Sequence, residues 1–321
     1  MTIKPIAMRD ALLERIWQAM GTNEKIFFTC ADFGSPVLDK IREDFKTRFV
    51  NVGVAEQNLI NVSAGLALEG YVVFAYAIAP FITMRCYEQT RVSLALLSEV
   101  RTMNVNLIGV GAGYSYVVSG PTHQCYEDIT LMRAMPNFRV LSPADHFTSA
   151  ALMDVCMKHS GPKYLRLDAQ ILPPLYEESA KQAVLKGFHV HLNGDKLCLV
   201  ATGYMMHTAL KVAALFKLKN INIGVIDIID FYGFDKEQMM NEFRCYQKII
   251  SLEEGFKGRG GMDALLFNLL NEIKGGPQLV NIGVRGEYSF ELGTRLELHE
   301  LVGIGPLVVE RTVEAILKEL K

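Results

Sequence analysis

The sequence is short of charge imbalance, of paired cysteines and of long apolar runs, and each shortage excludes something. Among 321 residues, 33 Lys and Arg stand against 35 Asp and Glu, a net charge of −2, which gives no general attraction for nucleic acid or an anionic membrane surface. The six cysteines, Cys30, Cys86, Cys125, Cys156, Cys198 and Cys245, include no CxxC pair. Neither a zinc site nor a disulfide framework is suggested, and a reducing compartment fits. No stretch reaches the roughly 18 charge-poor apolar residues of a membrane span. The opening MTIKPIAMRDALLERI reads as an amphipathic helix, not as a basic region followed by an apolar core and cleavage site, so the expected location is the cytoplasm. Two phosphate-cradling fingerprints are missing as well: no Gly-x-Gly-x-x-Gly follows a strand, and no Gly-x-x-x-x-Gly-Lys-Ser/Thr loop occurs.

What is present is material for about two domains, at 50% hydrophobic and 21% charged residues. Short apolar strands alternate with helical patterns, which predicts an α/β protein of two domains, each a mainly parallel sheet with helices on both faces. KIFFTCAD (25–32), VVFAYAI (72–78), VNLIGVG (105–111), FRVLSPA (138–144) and KYLRLD (163–168) are the strands of the first half. A Pro-, Glu- and Lys-rich stretch divides the chain into a first domain (1–172), a linker (173–184) and a second domain (185–321). No sequence repeat relates the halves. GFKGRGGMDALL (255–266) looks like an anion-binding loop, although a tight strand-to-helix turn explains its glycines at least as well.

Two clusters carry chemistry. In RFVNVGVAEQNLINVSAGLALEGYVVFAYAIAPF (48–81) a lone carboxylate, Glu56, stands at the mouth of an apolar, small-residue run. Read alone, it is a helix N-terminal carboxylate worth ~0.3–1 kcal/mol. In SGPTHQCYEDITLMRAMPNFRVLSPAD (119–145) a Gly-Pro turn presents Thr122 and His123 before a helix carrying Glu127, Asp128 and Arg133. A histidine on such a loop is placed to exchange protons with a bound substrate.

With both clusters in order, VGVAEQNLINVSAGLA and GPTHQCYEDITLMRAMPN, the chain resembles the transketolase family of thiamine diphosphate enzymes, in its pyrimidine-binding and C-terminal domains. YSFELGTRLELHELVGIG (288–305) resembles the family's closing segment. The resemblance implies that Glu56 hydrogen-bonds a ring nitrogen of the cofactor's aminopyrimidine and so activates it. A carboxyl removed from water can share its proton with such a nitrogen, while the cofactor performs the carbanion chemistry. The resemblance also places Phe81 beneath the pyrimidine, with Ile78 and Met84 where two family aromatics stand, and gives His123 the substrate-derived oxygen. Arg9 and Arg166 fall where family arginines bind a sugar phosphate, or equally serve as ion-pair partners. Ser119 replaces a family aspartate and Gly111 a family histidine, both on the side that reads ketose hydroxyls and phosphate. The resemblance assigns the C-terminal domain no catalytic residue.

The family's magnesium-binding Gly-Asp-Gly is absent. The sole Gly-Asp, Gly194-Asp195, reads as part of a hairpin. A diphosphate needs a hard cation with oxygen ligands, so the resemblance implies the C-terminal subunit of a split transketolase. A separate N-terminal subunit would carry the diphosphate-binding domain and most of the Mg2+ site, and two of each chain would form a heterotetramer. This chain is expected to supply no metal ligand. Three readings stay open: transfer of a two-carbon ketol unit from a ketose (phosphate) to an aldose; a pyruvate-using relative, like 1-deoxyxylulose 5-phosphate synthase or the beta chain of a 2-oxoacid dehydrogenase; or a non-catalytic partner subunit.

Overall fold

The computed structural model describes residues 5–177 and 179–320. Its first sheet contains β1 (Ile26–Cys30), β2 (Phe49–Asn51), β3 (Val72–Ile78), β4 (Asn104–Val110), β5 (Arg139–Leu141) and β6 (Gly161–Leu167). They lie in the order β2-β1-β3-β4-β6-β5 with every neighbouring pair parallel. Alternation along the strands explains the layering. Phe28, Phe74, Tyr76 and Ile108 face one way and pack with Leu12, Leu38 and Leu152 from helices Met8–Thr22, Pro36–Asp44 and His146–Lys158. Phe27, Val73, Ala75 and Leu107 face the other way and meet Leu59, Ile60 and Ala64 of helix Glu56–Leu68. Helices therefore cover both faces, as a parallel sheet requires.

The second sheet contains β7 (Phe188–Leu192), β8 (Leu197–Ala201), β9 (Gly224–Ile228), β10 (Lys248–Phe256) and β11 (Gln278–Val284), in the order β11-β10-β8-β9-β7. It is mixed, because β7 runs antiparallel to β9. That pairing overturns the hairpin expected at Gly194-Asp195: β7 bonds to β9 and not to the strand that follows it. The short edge strand β2 was not expected either. A helix, Ala180–Lys186, begins inside the segment anticipated as a linker and runs past its end to Gly187. RCYEQTRVSLALLSEV (85–100) has the apolar spacing of a single helix, yet the chain here forms a π-helical turn Phe81–Arg85, a short α segment Tyr87–Gln89 and a second π-helical run Thr90–Leu96. No helix among the described residues is long and apolar enough to cross a membrane.

The domains share two apolar clusters and a set of buried polar ties. Apolar side chains of both halves, from Met8 to Ile316, belong to one of these clusters. Across the domains, Arg295 pairs with Asp168 just beyond β6 at 2.6 Å and the Tyr114 N–H donates to the Glu254 carboxylate of β10 at 3.2 Å; within the second domain Glu254 holds Arg295 at 2.7 Å, and His299 Nε2 lies 2.7 Å from it. The Tyr176 hydroxyl donates to Asp227 at 2.7 Å.

Candidate active site

Because the strands of the first sheet are parallel, their carboxyl ends share one edge, and chain leaving β2, β3 and β4 there supplies Glu56, Phe81 and His123. Glu56 opens a helix whose buried residues, Glu56, Leu59, Ile60, Ser63, Ala64 and Ala67, recur every three or four positions. That stripe faces the sheet, where the Ser63 and Thr29 hydroxyls meet at 2.9 Å. Glu56 is drawn in with the stripe and is 2% exposed.

The carboxylate does not stand at a purely apolar mouth. Arg85 Nη1 donates to Glu56 Oε2 at 2.6 Å, and Arg85 itself is 43% exposed. Its guanidinium carbon lies 4.3 Å from the Phe81 ring centroid, and Phe81 meets the His123 ring edge to face at 5.3 Å. Carboxylate, guanidinium, aromatic ring and imidazole therefore form one run of contacts. Phe81 and Arg85 both belong to the π-helical turn, a distortion that concentrates at functional sites. His123 lies on a turn closed by its N–H to the Gly120 carbonyl at 3.1 Å. Its Nδ1 is 3.0 Å from the Thr122 hydroxyl, which leaves Nε2 to meet a ligand.

The other residues singled out in the sequence divide. Ile78 is half-buried at the end of β3, Met84 is exposed on the π-helical turn, and Ser119 is exposed on the His123 loop. Arg9, half-buried near the start of the first helix, reaches Asp10 at 2.8 and 3.3 Å. It lies beside two phenols, Tyr76 and Tyr116, both of which burial pushes up while the Arg9 charge opposes. Arg166 takes the ion-pair role that was the alternative to phosphate binding, but takes it inside the protein. It is 3% exposed, its Nε bonds to Asp128 at 2.8 Å and its Nη2 to the Glu254 carbonyl at 3.3 Å. It joins the two domains from inside.

Three residues at this edge were not anticipated. Arg85 is the partner of Glu56. Tyr116 stands edge-on to His123 at 6.3 Å. Asp32, just beyond β1, has φ +40, a conformation that costs a non-glycine residue energy and gathers at functional sites. Asn51, at the end of β2, holds Asp32 there: its Nδ2 donates to Asp32 Oδ1, and its Oδ1 accepts from the Asp32 N–H, both at 3.1 Å. Arg85 and Asp32 depend on pairings across the sheet edge, and Tyr116 on how one loop folds back on itself, none of which residue spacing reveals.

The glycine-rich loop at 255–266 is filled from within. Glu253, 1% exposed, accepts from the N–H groups of Met262 and Asp263, each at 2.9 Å, and so occupies the helix N-terminus where an external anion would sit. A Cβ at Gly261 would collide with the Glu253 carboxylate. Burial raises the Glu253 carboxyl to about 7, against the two amide bonds that favour its charged form.

Family comparison gives two matches: the transketolase pyrimidine binding domain over residues 4–174 and the transketolase C-terminal domain over residues 187–308. The chain is 31% identical, over 83% of its length and 84% of the relative's, to one of the subunits of an apulose-4-phosphate transketolase from Actinobacillus succinogenes. It is 28% identical, over 89% and 88%, to a putative transketolase C-terminal section of Methanocaldococcus jannaschii. A solved structure described as a split gene transketolase, inactive beta4 tetramer, superposes with a TM-score of 0.85 at 28% identity, covering 98% of this chain and 99% of that one.

Proposed function

Because this chain belongs to the transketolase family, we propose that it is the pyrimidine-domain subunit of a split, thiamine diphosphate-dependent transketolase. It transfers a two-carbon ketol unit between a ketose and an aldose in the cytoplasm. The observation that carries the reading is the contact run Glu56–Arg85–Phe81–His123 at the carboxyl edge of the first sheet.

The residues fit one half of the cofactor. A buried carboxylate on a helix N-terminus, beside a half-exposed phenylalanine and Ile78, suits a flat heterocycle with a basic ring nitrogen. No group of three or more His, Cys, Asp or Glu among the described residues is arranged to hold a metal. On this reading the diphosphate and its Mg2+ are held by a second subunit, in an assembly of two of each chain. Bound thiamine diphosphate supplies the carbanion chemistry. Glu56 holds the pyrimidine nitrogen and its proton, Arg85 positions Glu56, Phe81 supports the ring face, and His123 Nε2 gives and takes a proton at the substrate oxygen.

Calorimetric titration of thiamine diphosphate and Mg2+ into this chain alone, and into the chain co-expressed with a transketolase N-terminal subunit, tests the proposal. Binding confined to the complex is the expected result. A stably associated complex that binds no cofactor would overturn it.

A further inference from the structure

The substrate side of the site has a feature that the resemblance does not supply. Gly111, directly after β4, has φ +107, and a Cβ there would run into the Tyr116 ring. Tyr116 thus rests against the Gly111 backbone and fills the space a side chain at 111 would need, while its ring stands edge-on to His123 at 6.3 Å. A phenol, neutral at ordinary pH, lies where the resemblance puts an imidazole.

Among the described residues, the three arginines singled out at this edge are already matched. Arg9 is paired with Asp10 at 2.8 Å, Arg85 with Glu56 at 2.6 Å, and Arg166 is buried against Asp128 at 2.8 Å. A phosphate ester carries close to two negative charges, and the guanidinium groups that bind it tightly are ones not already neutralised by a carboxylate. An uncharged sugar asks instead for neutral hydrogen-bonding groups and an aromatic surface, which Tyr116, Ser119 and His123 provide.

We propose, on the basis of the function inferred above, that Tyr116 sets the substrate class of this site: the sugar end away from the reacting carbon is uncharged and lies against the Tyr116 ring. The acceptor is then a free aldose, and a phosphate ester is disfavoured.

The test uses the co-expressed complex with hydroxypyruvate as ketol donor and two matched acceptors, D-glyceraldehyde and D-glyceraldehyde 3-phosphate. The expected kcat/KM favours the free aldehyde by about tenfold or more. Tyr116→Ala erases that preference, largely through KM for the free aldehyde, and Tyr116→Phe, which keeps the ring, retains most of it. Asp10→Asn, which frees Arg9, raises kcat/KM for the phosphate ester by about tenfold. A wild-type preference for the ester, or a ratio unmoved in both Tyr116 variants, would overturn the inference. Hydroxypyruvate consumption without any acceptor reports the underlying function separately: its absence overturns both, whereas its presence with an ester preference overturns the substrate assignment alone.

Discussion

Glu56 and Arg85 show how one residue's role depends on what meets it. Glu56 is buried by its helix register, yet its partner is a half-exposed guanidinium that water can solvate once the carboxylate is gone. Removing the charge on Glu56 should therefore disturb the fold little. Glu56→Gln in the two-subunit complex is expected to lower kcat by roughly a hundredfold or more, the scale of a lost proton-transfer group, with an unchanged far-UV spectrum and nearly unchanged Tm. Near-normal turnover would remove Glu56 from the chemistry.

At the scale of elements, two loops leaving strands decide local geometry. The loop after β4 needs Gly111, both for its left-handed backbone and for its contact with Tyr116. Gly111→Ala is expected to cost about 1–3 kcal/mol in urea unfolding, through backbone strain and overpacking together. The loop after β10 stores a carboxyl against a helix N-terminus. Since the Glu253 carboxyl is raised to about 7 in the folded protein, the native state holds a proton that the unfolded chain releases near its ordinary value of ~4.3. Its contribution to stability is thus fully present below that value and declines as pH rises towards 7. Thermal unfolding between pH 5 and 8 should show Glu253→Gln with a flatter Tm profile than the unmodified protein; equal slopes would contradict the proton assignment.

For the whole molecule, the ties between the sheets matter most. Burial alone would raise the Glu254 carboxyl, but the Arg295 guanidinium and the His299 hydrogen bond outweigh it and hold Glu254 well below the usual carboxylate range. A depressed carboxylate stabilises the fold above its unfolded value and loses that contribution as pH falls, so these ties resist weak acid and fail in strong acid. Arg295→Leu leaves Asp168 and Glu254 buried without their cation. It is expected to cost about 3–5 kcal/mol and to split a single denaturant transition into two as the domains uncouple. A single transition at an unchanged midpoint would show that the shared apolar core alone holds the domains together.

Much was legible from the chain alone. Val72–Ile78 stands out in the sequence with its observed bounds, because a buried parallel strand is a continuous apolar run between turn residues. The two-domain α/β class and the order of Glu56 before His123 followed from the same local pattern, and the family was legible in two quoted motifs. β2 was too short to give a signal, and the hairpin reading paired β7 with the strand that follows it instead of with β9, because the choice of partner strand is not written in periodicity. Only the folded molecule joined Arg85 to Glu56, laid Tyr116 on Gly111, turned Arg166 inward and filled the glycine-rich loop with Glu253. For Arg85 and Arg166 the physical reason is one and the same. A segment's hydrophobic pattern fixes which face it buries, whereas the partner of a charged or polar group is chosen by whatever distant segment folding brings within hydrogen-bond distance.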